Sequence, residues 1–264
     1  MYGSTVPGML IAEKDGARIE AGAASRGDEH RCPVCVSYVR LHRGHKVVAH
    51  FKHVASSTCP LSYESQRHME AKRLLRAGFE SAGYSVKLEQ PHSGGQRRVD
   101  VEVTLAGKRG PVRVAVEVQD SPIDVDKMKH RTKLDRRAGY LTTLWVFTEN
   151  RLPAAFDNNG SAEARVPDEL QWVSRRYQQG IPLLDTRTGQ LVTVTLGPVV
   201  RDGSEWYGAG GEQCASNART LRSTYALVAD AAEFRLRCLL DPYSVHQAWF
   251  APRAGPNPVR LPPR

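Results

Sequence analysis

Three groups of side chains in this sequence have types and spacings that can do chemistry. Asp100 and Glu117 stand on two apolar, alternating segments, RRVDVEVTL (97–105) and VRVAVEVQDS (112–121). In the second, valine fills every other position from 112 to 118, so Glu117 and Gln119 share the opposite strand face. Two carboxylates meeting on adjacent strands suit a hard divalent cation, Mg2+ or Mn2+, with the Val118 carbonyl as a third oxygen. Glu64, His68 and Lys72 recur every fourth residue, and Leu75, Phe79 and Ala82 continue the same stripe. A polar start to an apolar helix face either borders a site or is a solvated i,i+4 ladder. The third group is RCPVCVSYVRLHRGHKVVAHFKHVASSTC (31–59). Its Cys32, Cys35, His53 and Cys59 offer zinc four tetrahedral ligands, with His50 as the alternative imidazole. A closed shell of four protein ligands leaves no open position, so this zinc is structural.

The elements that must position these groups follow from pattern. Tyr38 to Arg43 and His45 to Phe51 read as short strands around Gly44. Residues 62–83 read as a helix capped by Ser62 and ended by Gly83. Strands are expected at 84–90, 97–105 and 112–119. A second helix follows, with Ser121 as cap, Pro122 in the first turn and Gly139 as stop. Residues 140–149 form a buried strand. The second helix carries Lys127, Lys129, His130, Arg131, Lys133, Arg136 and Arg137. That run is either a solvated face or a set of phosphate contacts, with Arg131 alternatively bracing the acids. Beyond 150 the pattern suggests a short helix at 167–180, a hairpin around Thr188-Gly189, a Gly-rich loop and a long helix over 216–240. The tail APRAGPNPVRLPPR (251–264) is Pro-rich and reads as disordered.

The 264 residues carry a net charge of +9 and a pI near 9.5, which favours polyanionic partners. No apolar run approaches the ~20 residues of a membrane span. The N-terminus lacks a basic n-region, so a cytoplasmic location is expected. Five cysteines, an odd count without a signal peptide, argue against a disulfide framework. No P-loop or Rossmann glycine pattern is present, which excludes an ATP-driven motor.

The order helix, three strands, helix, strand, with Asp100 on the second strand and Glu117-x-Gln119 on the third, resembles the PD-(D/E)xK nuclease superfamily. CxxC, HFKH and Cys59, then Glu64-Ser65-x-x-His68-x-x-x-Lys72, RRVD and EVQDS, resemble the competence protein CoiA-like family of nucleases over residues 12–149. The resemblance implies an α/β (α+β) chain with a PD-(D/E)xK restriction-endonuclease-like αβββαβ core. Its parts would be a zinc-binding β module at 1–62, the nuclease-like core at 63–150, a C-terminal α+β extension at 151–250 and the tail. It implies a Mg2+- or Mn2+-dependent deoxyribonuclease acting on DNA, beside recombination or competence proteins. Asp100 and Glu117 would hold the metal, helped by Gln119, Glu64 and His68. Superfamily members usually carry lysine where Gln119 stands, and Lys72 is the candidate replacement. The alternatives are a non-catalytic DNA-binding module with a degenerate nuclease fold, and a zinc-containing regulator acting through protein contacts.

Overall fold

A computed structural model describes residues 8–45, 47–54, 59, 64–95, 97–107, 110–152, 160–177, 180–239 and 247–254. The N-terminal strands β1 (Ile11–Lys14), β2 (Ala17–Glu20), β3 (His30–Arg31), β4 (Tyr38–His42) and β5 (His50–His53) make a five-stranded sheet in the order β2-β1-β3-β4-β5. The strand expected at His45 to Phe51 therefore begins later, at His50, where Phe51 can bury among Met9, Val39 and Leu41. Few large side chains fill this core; Cys32 and Cys59 are part of it.

Helix α1 (Gln66–Ser81) follows, then β6 (Ser85–His92), β7 (Arg97–Gly107), β8 (Gly110–Gln119), α2 (Val125–Arg137) and β9 (Thr143–Thr148), in the expected order. The caps differ from expectation. Ser62 lies outside the described residues, and Ser65 caps α1 by accepting from the His68 N–H at 3.0 Å. Asp124, not Ser121, caps α2, accepting from the Asp126 and Lys127 N–H groups. A carboxylate so placed also meets the positive end of the helix dipole. Gly83 and Gly139 follow the helix ends with φ of 87° and 85°, left-handed backbone that favours glycine.

The chain continues through β10 (Ser161–Arg165), α3 (Asp168–Tyr177), β11 (Ile181–Leu184), β12 (Leu191–Arg201), the hairpin β13 (Glu205–Tyr207) and β14 (Gln213–Ala215), β15 (Arg219–Leu239) and β16 (Gln247–Pro252). The hairpin around Thr188-Gly189 is β11–β12. Apart from β13 and β14, which pair only with each other, these strands prolong the central sheet, whose order is β10-β15-β12-β11-β9-β8-β7-β6 with β16 beside β15. Strand β9 is parallel to both β8 and β11; the remaining pairs are antiparallel. One sheet thus spans the boundary expected at 150. Within the tail expected to be disordered, Ala251 and Pro252 belong to β16, and 255–264 lies outside the described residues.

The long helix expected over 216–240 is instead β15. Its N-terminal half buries Tyr225, Leu227, Ala229 and Ala231 on one sheet face; its C-terminal half buries Ala232, Phe234 and Leu236 on the other. That change of buried face leaves Tyr225, Ala229, Ala232 and Leu236 spaced by four, three and four, which mimics a helical stripe. Strand β9 shows the same two faces: Leu144 and Val146 pack with α1, Trp145 and Phe147 with α2 and α3. A Cβ on Gly78 would collide with the Phe234 ring, so α1 lies against β15 only because position 78 has no side chain.

Candidate active site and metal cluster

Strands β7 and β8 pair from Gly107↔Gly110 to Val101↔Val116, and there the ladder stops. The next opposed residues are Asp100 and Glu117. Their side chains take over the backbone donors: the Asp100 N–H donates to Glu117 Oε1 at 3.2 Å and the Val118 N–H to Asp100 Oδ2 at 3.0 Å. The two carboxylates are wedged into the splayed end of an otherwise apolar pair. Ser65 Oγ donates to Asp120 just after β8, which pins the start of α1 to this end of the sheet. His68, one turn into α1, then meets Asp100, with Nε2 to Oδ1 at 3.3 Å. One ligand atom from each of Glu64, His68 and Asp100 lies within 4.8 Å of the others. Two carboxylates and an imidazole at that separation could hold a divalent cation.

Glu117 is not in that group. Its Oε1 receives Arg97 at 2.7 Å and its Oε2 faces Arg131 at 3.6 Å. Burial pushes its carboxyl up to about 7, with Asp100 and Asp135 adding repulsion against the pull of Arg97. Asp100 is held far below the ordinary range: burial opposes ionisation, and His68, Lys72 and Arg98 overcome it. Burial likewise opposes charge on His68, and Asp100 and Glu64 raise its pKa regardless. The Gln119 amide is turned to the Ser121 carbonyl.

Lys72 is completely buried, and the structure does not bring it to the groove wall. Its ammonium bonds Glu64 and, at 2.7 Å, Glu89. Arg98 closes the square, joining Glu64 and Glu89, the latter at 3.0 Å. Glu89 has a φ of 52° in mid-strand, where a non-glycine residue rarely sits, and its buried carboxylate also accepts the Leu10 N–H at 3.1 Å. Burial resists its charge, yet Lys72 and Arg98 hold it down at about 2. That value lies below the ordinary 4.5, so this carboxylate contributes stability above about 4.5 that is lost as pH falls towards 2. Lys72→Met leaves the buried Glu89 and the half-buried Glu64 sharing one arginine. The expected loss is ~3–5 kcal/mol, read as a lower denaturant midpoint at pH 7; a variant as stable as wild type would show that the square does not carry this load.

Sequence reasoning missed Glu89, Arg97, Arg98 and Asp135. Asp135 is buried and gathers His92 at 2.8 Å, Arg97 at 3.1 Å and the Thr143 hydroxyl at 2.8 Å, which fixes Arg97 on Glu117. The signal for the arginines lay in the RRVD motif itself. A groove of about 1090 Å³ opens here, and its lining includes Glu64, His68, Arg97, Arg98, Asp100, Glu117 and Gln119. His130 and Arg131 of α2 also line it, whereas Lys127, Lys129, Lys133, Arg136 and Arg137 lie exposed along the same helix. Lys129 pairs with Asp126 at 2.8 Å.

The cysteine-histidine cluster forms as expected. One ligand atom from each of Cys32, Cys35, His53 and Cys59 lies within 4.8 Å of the others. Cys32 Sγ is 3.8 Å from Cys59 Sγ, and Cys35 Sγ is 3.2 Å from His53 Nε2. Tetrahedral zinc with Zn–S bonds of ~2.3 Å places two sulfurs roughly 3.8 Å apart, so the residues fit the ion. Burial pushes the Cys32 thiol up to about 12; Cys35, despite burial, is held down at about 6 by hydrogen bonds involving Ser37, His53 and Cys32. His50, the alternative ligand, is not in that group; its Nδ1 lies 2.6 Å from the Val48 carbonyl and its ring stacks on His42. The CxxC turn reaches beyond its own module, since Pro33 and Val34 line the groove.

Among the described residues no helix is long and apolar enough to cross a membrane. No curated protein and no solved structure matches the chain. Two family descriptions do: "Competence protein CoiA, N-terminal domain" over residues 15–62, and "Competence protein CoiA, nuclease-like domain" over residues 64–194. The second match runs past residue 149, where the sequence resemblance stops, through α3 into β12. Together the two matches join the cysteine-histidine module and the carboxylate groove in one architecture, and the chain belongs to the competence protein CoiA family.

Proposed function

We propose that this protein is a divalent-metal-dependent deoxyribonuclease built on a PD-(D/E)xK core, with zinc holding its N-terminal module. One observation carries the reading: Glu64, His68 and Asp100 converge within 4.8 Å in a groove that a basic helix also lines. A bound divalent cation would polarise the phosphate and lower the pKa of an attacking water. An imidazole among the ligands favours Mn2+ over Mg2+, which prefers oxygen alone. The chain's own part is to hold the anionic ligands ionised and aligned. Lys72 and Arg98 favour a charged Asp100 whether or not the imidazole carries a proton, and the Val118 N–H fixes one of its oxygens. Arg131, beside His130 on the groove wall, supplies the positive charge that Gln119 lacks and Lys72, sealed away, cannot present. Such a nuclease would act in the cytoplasm on incoming or recombining DNA, the setting the family name suggests.

The second reading is a DNA-binding module without catalysis. The Gln119 amide, already satisfied by Ser121, favours it. A cleavage assay on linear, circular and single-stranded DNA with Mn2+, Mg2+ or EDTA separates the two. Metal-dependent products, more abundant with Mn2+, are expected. Retention of every substrate uncut, with DNA still bound, would establish the binding module.

A further inference from the structure

The groove has two unlike rims. Helix α1 and the N-terminal module belong to one side of the sheet: Leu10 and Ile11 pack with Met69, Leu75 and Phe79, and Glu64 bridges to Gly8. Helix α2 belongs to the other side, with Met128 packed against Trp145 and Phe147. The module's rim is apolar. Pro33 and Val34 line the groove, and Val34 is 51% exposed. Val36 and Val54, on the same cysteine-histidine cluster, are 58% and 60% exposed. Val36 has a φ of 59°, a conformation a β-branched residue adopts at a cost, and that cost is not returned by burial of its side chain. The α2 rim is basic, with His130 and Arg131 in the groove and Lys133 and Arg137 exposed beyond them.

From this asymmetry we infer that the groove takes a single nucleic-acid strand, phosphates along α2 and bases against the Pro33–Val34 knuckle. The inference rests on the nucleic-acid reading of the groove and names its substrate class. A duplex carries phosphates on both flanks and hides its base faces inside the stack, so an apolar rim offers it nothing. A single strand presents a charged edge and uncovered base faces; the basic rim takes the first and the apolar rim shields the second from water. The zinc cluster then does more than hold the module together: it stiffens a turn that carries apolar side chains into the groove.

The test is equilibrium binding of a labelled mixed-sequence single strand and of the blunt duplex of equal length, by fluorescence anisotropy. Full-length zinc-loaded protein is used without added Mg2+ or Mn2+, so no strand is cut. The single strand is expected to bind about tenfold more tightly. Val34→Ser with Val36→Ser, which removes apolar surface and adds no charge, should weaken it about tenfold, leaving duplex affinity and zinc content unchanged. If that pair loses zinc, Val34→Ser with Val54→Ser takes its place and should show the same selectivity loss with zinc retained. Lys133→Gln with Arg137→Gln should weaken both substrates and lower the salt slope by about two. Equal or tighter duplex binding, no binding of either strand form, or a zinc-loaded knuckle variant that binds single strands like wild type overturns the inference. A protein that binds in this way and cuts nothing overturns the nuclease reading and leaves the strand assignment standing. One that cuts duplexes and shows no single-strand preference does the reverse.

Discussion

Asp100→Ala is expected to leave DNA uncut, with the cleavage rate falling by on the order of 10²–10³ or more, the scale of losing one charged stabiliser of a transition state. Asp100 is the member of the Glu64–His68–Asp100 group that is best held: one oxygen is fixed by the Val118 N–H and the other faces His68. The alanine variant also strands a buried N–H and an imidazole, which costs ~1–3 kcal/mol of stability. Asp100→Asn separates the two effects. It keeps an acceptor for Val118 and removes the charge, so it should remain close to wild type in thermal midpoint and still fail to cleave. Titration of Mn2+ into each variant without DNA supplies a readout apart from turnover, and both should bind the ion more weakly. Cleavage at the wild-type rate by Asp100→Asn would remove Asp100 from the site. DNA binding should be unchanged or slightly tighter in both, since a like charge facing the phosphates is gone.

Cys32→Ser should abolish zinc binding and melt the N-terminal module. Purified wild-type protein should carry one zinc per chain. Structural zinc in small modules contributes ~10–16 kcal/mol of apparent binding energy, and the module has little else to set against that loss. Its core holds few large side chains, and Cys32 is completely buried within it beside Cys59. Metal analysis and limited proteolysis are the measurements. Loss of zinc with new cleavage sites confined to the module is expected; full zinc content in both Cys32→Ser and Cys59→Ser would refute the ligand set. The damage should reach the groove as well, because Leu10 donates to Glu89 and Arg18 bonds the Leu88 and Glu89 carbonyls.

Much of this was readable in advance where local pattern and global role agree. Valines alternating from 112 to 118 have only one way to lie in a sheet, and a carboxylate opposite them has only one face to occupy. The CxxC and HFKH spacings bring four ligands together because so few geometries accommodate a tetrahedral ion. Where local and global signals part, the sequence misleads. Strand β15 changes its buried face midway and so imitates a helix. Glu89 sits within an expected strand, but nothing in the pattern marks its carboxylate; its weight comes from Lys72 and Arg98, which converge on it only after α1 and β7 are in place. Lys72 shows the same limit from the other side. Helix phase put it on the stripe of Glu64 and His68, but phase does not say which end of a long side chain meets solvent, and Glu89 draws the ammonium inward.

The last described strand has a further consequence, for the order in which the molecule can be made. Phe79 of α1 stacks on Phe250 of β16 at 5.6 Å, and the Leu236 N–H is satisfied by the hydroxyl of Tyr84, 152 residues away in the chain. The helix that carries His68 into the groove is therefore sealed on its apolar flank by segments synthesised long after it. Such distant pairings close large loops before they gain any contact energy, so they form slowly. Until β15 and β16 arrive, a nascent chain already holding its complete set of groove residues would expose Phe79 and an open sheet edge, the surfaces on which unfinished chains stick to one another. Chain elongation thus acts as a timer: the acids and histidine of the groove are all translated early, and the scaffold that aligns them is finished last.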